Sequence, residues 1–189
     1  MVASKNPDKI REVEEVLAML PNGFEVVRGL DWPDVEEPYE TLEENALHKA
    51  RSVVEATGVS ALADDTGLEV AALGGAPGVH TARFAGPDAT YADNVAKLLS
   101  DLNGLEERRA TFRTAVALVR PDGSSTLAEG ILEGRIALSR RGEGGFGYDP
   151  IFEVAEFDNQ TLAEIPEGAK NKISHRARAL AALAEALRS

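Results

Sequence analysis

One stretch constrains this chain more than any other. Residues 63–67 read Ala-Asp-Asp-Thr-Gly, and residues 73–78 read Leu-Gly-Gly-Ala-Pro-Gly. A short apolar run, 59–63, leads into the acids, and a second, 68–73, follows them. The first run predicts a strand that stops at two adjacent carboxylates, placing them at a sheet edge where open α/β sheets bind ligands. Neighbours on an extended chain face opposite ways, so Asp64 and Asp65 are expected to do different work. One faces a site and the other anchors a turn. The plain alternative is an Asx turn.

Whether such acids serve chemistry depends on what else the chain supplies. Its 189 residues suit one domain, or one domain with two lobes, and 43% apolar content suffices for a core. There is no cysteine, which excludes a disulfide framework, a thiolate nucleophile and a thiolate zinc site. No apolar run reaches the roughly 18 residues of a membrane span, and the start shows no apolar signal core. A cytoplasmic location and no membrane partner are expected. The net charge of −12 argues against nucleic acid as a partner. The cations are local: Lys5 and Lys9 near the start, and Lys170, Lys172, His175 and Arg176 near the end. That distribution suits a small anion, and the surplus acid suits a divalent metal.

Along the chain, an extended start over 1–4 leads to a helix opened by Asn6 and Pro7, with Ile10, Val13, Leu17 and Leu20 on its apolar face. The turn 21–23 should end it. Free backbone N–H groups at its start, with Lys5 and Lys9, would make a phosphate site. A strand is predicted over 24–27, then an acidic loop over 31–40. The sequence Thr41-Leu42-Glu43-Glu44 is a capping box for a helix to about residue 57, with Ala46, Ala50, Val53 and Val54 buried. Residues 74–78 form a tight turn. Thr90 starts a helix that buries Val95, Leu98, Leu99 and Leu102. The alternation over 110–119, the turn Pro121-Asp122-Gly123 and a return strand over 125–136 predict a hairpin, bent at Gly130 and Gly134. This hairpin, within about 110–140, is expected to form the second lobe. In 142–150, glycines let the backbone approach a ligand, Phe146 offers a stacking plane and Asp149 an acceptor. A short strand over 151–154 follows. Ser174 caps the last helix, which buries Leu180, Leu183, Ala184 and Leu187 and carries His175 and Arg176 in its first turn. Cations there oppose the helix dipole, a cost that an anionic or carbonyl-rich ligand would offset.

Taken in order, Ser4-Lys5-Asn6-Pro7-Asp8-Lys9, Thr41-Leu42-Glu43-Glu44-Asn45-Ala46, Ala63-Asp64-Asp65-Thr66-Gly67, Gly74-Gly75-Ala76-Pro77-Gly78, Gly144-Gly145-Phe146-Gly147-Tyr148-Asp149-Pro150 and Ser174-His175-Arg176 cover nearly the whole chain. In these motifs the chain resembles the inosine/xanthosine triphosphate pyrophosphatase family of house-cleaning enzymes. The resemblance implies an α/β fold, two-lobed around a long mixed β-sheet flanked by helices, with an active-site cleft between the lobes. It implies a homodimer and Mg²⁺-dependent hydrolysis, with Mn²⁺ as the alternative ion, of deaminated purine nucleoside triphosphates (ITP, dITP, XTP) to monophosphate and pyrophosphate. By the same resemblance, Asp65 is the catalytic base and a metal ligand with Glu36, for which Glu37 is the rival. Ser4, Lys5, Asn6, Pro7, Asp8 and Lys9 cradle the triphosphate, and Thr66 touches substrate. Phe146, Gly147, Tyr148, Asp149, Lys170, His175 and Arg176 hold base, sugar and phosphate. His175 and Arg176 could donate to a 6-keto oxygen. The rival readings are a related pyrophosphatase for pyrimidine or modified nucleotides, a non-catalytic nucleotide-binding module, and a plain interaction domain.

Overall fold

The computed structural model describes residues 1–19 and 25–188. Five helices are present among them: α1 (Pro7–Met19), α2 (Leu42–Thr57), α3 (Tyr91–Asp101), α4 (Glu167–Ile173) and α5 (His175–Ala186). Six strands, β1 (Ala61–Val70), β2 (Pro77–Gly78), β3 (Arg109–Val119), β4 (Ser125–Ile136), β5 (Phe152–Val154) and β6 (Gln160–Thr161), form one sheet in the order β2-β1-β3-β4-β5-β6. The pairs β1–β2, β4–β5 and β5–β6 are antiparallel. The extended start adds an isolated parallel bridge, Val2 to Leu62, outside these strands, so the fold is α/β around an antiparallel sheet where a mixed one was expected. Among the described residues no helix is long and apolar enough to cross a membrane.

The chain divides into two compact units. Unit one is Met1–Thr66, Thr114–Ile131 and Ser174–Ser189; unit two is Gly67–Arg113 and Leu132–Ile173. The long strands β1, β3 and β4 each contribute residues to both.

Unit one has its own core. Val13, Val16 and Leu17 of α1 meet Leu62 of β1, Val116 of β3, and Ala177, Leu180 and Leu183 of α5. Each of these Val and Leu side chains, when fully buried, contributes about 1.5–3 kcal/mol. The caps are those read from the sequence. Thr41 accepts the Glu44 N–H at 3.2 Å to start α2, and Ser174 accepts the Ala177 N–H at 3.1 Å to start α5. Gly130 of β4 lies against the first turn of α5, where a Cβ would overlap the backbone of His175 and Ala179.

Unit two packs Val95, Leu98 and Leu102 on Phe112, Ile136, Ile151 and Phe152. The rings of Phe112 and Phe152 lie 4.6 Å apart, centre to centre. Thr90 and Asp93 form the capping box of α3. Buried Arg108 donates to the carbonyls of Leu102, Ile136 and Ala137, at 3.1, 2.6 and 2.7 Å, tying the end of α3 to the strands.

The helices at 42–57 and from Thr90, the 121–123 turn and both hairpin strands match their expected places. Three further expectations change. β1 does not stop at the acids but runs on through Asp64, Asp65, Thr66 and Gly67. Turn-type residues persist there in a strand because nearby cations hold the carboxylates in place. Residues 25–27 carry no strand, while Phe24 and the 21–23 turn, with Leu20, lie outside the described residues. The segment before α5 is itself a helix, α4.

Candidate active site

The site in unit one grows from β1. Pleating sends Asp64 and Asp65 to different partners. Asp64 Oδ2 accepts from Arg176 Nε at 3.2 Å and Nη2 at 3.1 Å, and lies 3.4 Å from Lys9 Nζ. Arg176 also donates from Nη1 to Glu12 of α1. Three segments far apart in sequence therefore meet at one buried ion cluster. Burial alone would raise the Asp64 carboxyl, but the charges of Lys9, Arg176 and Lys49 hold it well below the usual carboxylate range. Asp64 is a fixed anion.

Asp65 differs. Its Oδ1 lies 3.4 Å from Lys49 Nζ and accepts the Thr66 N–H at 3.1 Å. Its Oδ2, also buried, has no hydrogen-bond partner among the described residues. Burial, above all, pushes this carboxyl upward; the charges of Glu37 and Asp64 add to the shift, and those of Lys49 and Lys9 oppose it. A buried carboxylate with a raised proton affinity and one open oxygen is suited to accept a proton. Lys49 Nζ also donates to Glu37 Oε1 at 2.7 Å and to the Asp64 carbonyl at 2.6 Å. One helical turn earlier, Asn45 grips the backbone of Tyr39 twice, at 3.0 and 3.1 Å. The buried face of α2 thus holds the acidic loop in place. Glu37 faces Lys49 in a half-buried position, whereas Glu36 is exposed. No group of three His, Asp or Glu able to hold a metal occurs among the described residues.

At the start of α1, Asn6 Oδ1 accepts the N–H groups of Asp8 (3.0 Å) and Lys9 (3.4 Å), and Ser4 Oγ accepts that of Asn6 (3.2 Å). The backbone donors expected to be free are therefore capped by the segment's own side chains, and Pro7 has none to offer. What this turn presents is the ammonium groups. Lys9 leans on Asp64, while exposed Lys5 meets Asp34 at 2.6 Å. Asp8 pairs with Arg11 at 3.4 Å.

A second chain of contacts joins Thr66 Oγ1 to Thr114 Oγ1 at 2.8 Å, and Thr114 Oγ1 to His175 Nδ1 at 2.6 Å. Arg176 is buried and held by Glu12, Asp64 and Thr66, so its guanidinium shapes the cluster.

Unit two holds the remaining expected residues. Lys170 Nζ donates to Asp149 Oδ2 at 2.9 Å, and both groups are buried. The same oxygen accepts the Phe146 N–H at 3.0 Å. Lys170 lies 5.3 Å from the centre of the half-buried Phe146 ring. Gly145 has positive φ, and a Cβ there would overlap the Asp149 carboxylate, so glycine is required. A ring backed by an ion pair can take a flat polar heterocycle. Tyr148 is buried and its hydroxyl donates to the Thr81 carbonyl at 3.0 Å. Gly147 supplies a left-handed turn, φ 61°.

The sequence reading missed Lys49, Glu12 and Thr114. Each had a signal. Lys49 lies in the stripe of Ala46, Ala50 and Val53; Glu12 in that of Val13, Val16 and Leu17; Thr114 between Phe112 and Val116. A polar residue on an apolar face needs a partner, and here the partners form the site.

An α/β fold carrying a buried acid with an open oxygen, beside Lys49 and within the field of Lys9, suits the class of proteins that handle small polyanions. A family model described as the Ham1 family matches residues 1–186. The dITP/XTP pyrophosphatase of Geobacter sulfurreducens is 48% identical over 190 residues, covering 99% of this chain and 95% of that protein. The Bacillus subtilis protein of the same name is 44% identical over 192 residues, covering 99% and 96%. Among solved structures, a HAM1 protein from Coxiella burnetii superimposes with a TM-score of 0.84 at 39% identity, covering 99% of this chain and 96% of that one. The Staphylococcus aureus Ham1 protein gives 0.81 at 36%, with the same coverage. The chain belongs to the Ham1 family.

Proposed function

We propose that this chain is a nucleoside-triphosphate pyrophosphatase. It would hydrolyse dITP and XTP, with ITP, to the monophosphate and pyrophosphate. The names of relatives 44–48% identical over nearly the whole chain support the substrate class. The observation that carries the chemistry is the buried, open Oδ2 of Asp65. In this reading Asp65 accepts a proton from a water as the water oxygen bonds to the α-phosphorus. The bond from that phosphorus to the bridging oxygen breaks, and pyrophosphate leaves. Lys9, and Lys5 once it leaves Asp34, meet the phosphate charge. Asp64, held by Arg176 and Lys9, keeps the strand and those cations in register. No covalent intermediate is required.

The residues present also fit a divalent ion. Asp65 and Glu37 are two oxygen donors of the kind Mg²⁺ takes, and one Asp65 oxygen is open. Glu37 is favoured over Glu36 because Lys49 already holds it near Asp65. When bound, Mg²⁺ neutralises phosphate charge and polarises phosphoryl oxygens. The homodimer implied by the resemblance belongs to this proposal and is tested by light scattering.

A nucleotide panel with pyrophosphate detection tests the activity. The expected result is turnover of dITP, XTP and ITP well above dATP, dGTP and pyrimidine triphosphates, dependent on Mg²⁺. Preference for a pyrimidine nucleotide, or binding without pyrophosphate release, would refute it.

A further inference from the structure

The hydroxyl chain beside the acid cluster has a direction, and the direction can be worked out. Arg176 Nη2 donates to Thr66 Oγ1 at 3.2 Å, and a guanidinium can only donate. Thr66 therefore has one hydrogen to place. Its acceptors are Asp64 Oδ2 at 3.3 Å and Thr114 Oγ1 at 2.8 Å. A hydroxyl donating to a carboxylate prefers about 2.5–2.7 Å, so at 3.3 Å Asp64 is the weaker of the two acceptors. Asp64 Oδ2 is already supplied by Arg176 and Lys9. The Thr66 hydrogen thus points to Thr114. Thr114, whose oxygen now accepts, directs its own hydrogen to His175 Nδ1, 2.6 Å away. A ring nitrogen that accepts carries no proton, and a neutral imidazole must then carry it on Nε2. The ring's anchor is fixed as well: Ser174 caps the helix at this residue, and Gly130 packs against the His175 backbone.

We propose that Thr114 is a specificity-determining positioning residue: through its hydroxyl it fixes neutral His175 as the Nε2–H tautomer, so that the ring presents a donor and not an acceptor. A donor suits the carbonyl oxygen of a deaminated purine and leaves the amino group of adenine without a partner. The tautomer is inferred from the distances along the hydrogen-bond chain, while its consequence for base choice rests on the pyrophosphatase reading above.

The test is ¹⁵N-histidine NMR of the full-length protein at pH 8, where an ordinary imidazole is neutral. The chain has three histidines, and His175→Gln assigns the signal. The wild type should show an unprotonated Nδ1 and a protonated Nε2. Thr114→Ser should keep that pattern. Thr114→Val should give a mixture of tautomers and lower the ratio of kcat/KM for dITP over dATP about tenfold. A protonated Nδ1 in the wild type overturns the proposal, whatever the variants do. So does a Thr114→Val protein with unchanged ring signals and unchanged ratio. Should dITP not be turned over at all, the pyrophosphatase reading fails, yet the wild-type signals still decide the tautomer.

Discussion

At the scale of single residues, two identical side chains in sequence have opposite energetics. Asp64 has its proton affinity lowered, so it contributes stability at pH values above the ordinary carboxylate range, and that stability is lost as pH falls through its depressed folded value. Asp65 has its affinity raised. Its charged form is a burden on the fold, one that grows as pH rises through the raised value. Asp64→Asn should therefore destabilise by about 3–5 kcal/mol, because it leaves buried Arg176 with half its neutralising charge. Asp65→Asn should leave the melting temperature equal or higher while cutting turnover by about 10²–10⁴. Thermal melts beside pyrophosphate release separate the two; a destabilised Asp65→Asn would contradict the assignment. A pH profile adds a second check. The acid limb of kcat/KM in the wild type should lie above the ordinary carboxylate range of about 4, because Asp65 must be ionised to accept the proton. Strand alternation made it legible that the neighbours differ, but not which carboxyl is held charged and which keeps an open oxygen. That depended on Lys49 and Arg176, whose places the local sequence does not encode.

At the scale of elements, what could be read were helices with a stripe and a cap: α2, α3 and α5 start where Thr41, Thr90 and Ser174 predict. The strand β1 was misread because Asp-Asp-Thr-Gly has turn chemistry, overridden here by cations from α1, α2 and α5. α4 was missed because Lys170-Asn171-Lys172 lacks an apolar period, and its buried Lys170 is held by an ion pair. Glycines show the same limit. Gly130 and Gly168 look alike in sequence, yet a Cβ at Gly130 would strike backbone while one at Gly168, on α4, meets nothing within 4 Å. Gly130→Ala should cost about 1–3 kcal/mol or more, since β4 or the start of α5 must shift. Gly168→Ala should gain up to about 1 kcal/mol from helix propensity. Denaturant unfolding of the pair checks both; equal effects would mean that the packing of α5 on β4 is looser than described.

At the scale of the whole molecule, six motifs in order were enough for the family, but no spacing rule brings residues 112 apart, such as Asp64 and Arg176, into contact. The surplus of acid was legible as a taste for cations, and two of the acids, Glu37 and Asp65, already share a lysine. Lys49 Nζ sits among Glu37 Oε1, Asp65 Oδ1 and the Asp64 carbonyl, an oxygen cage of the kind a hard cation uses. The charges of Asp65, Glu37 and Asp64 outweigh the burial that would lower its proton affinity, and raise it instead. The ammonium thus acts as an internal counter-ion, and a divalent ion reaching Asp65 and Glu37 must compete with it. Ligand binding to the folded state raises stability by about 2.7 kcal/mol at a hundred times Kd, so melting reports this competition across the entire chain. Lys49→Met should melt lower than the wild type without metal, because buried Asp65 and half-buried Glu37 lose their partner. On adding Mg²⁺ its melting temperature should rise more than that of the wild type, and Asp65→Asn should barely respond. A smaller rise in Lys49→Met would mean that Lys49 assists the ion, and the competition argument would fall with it.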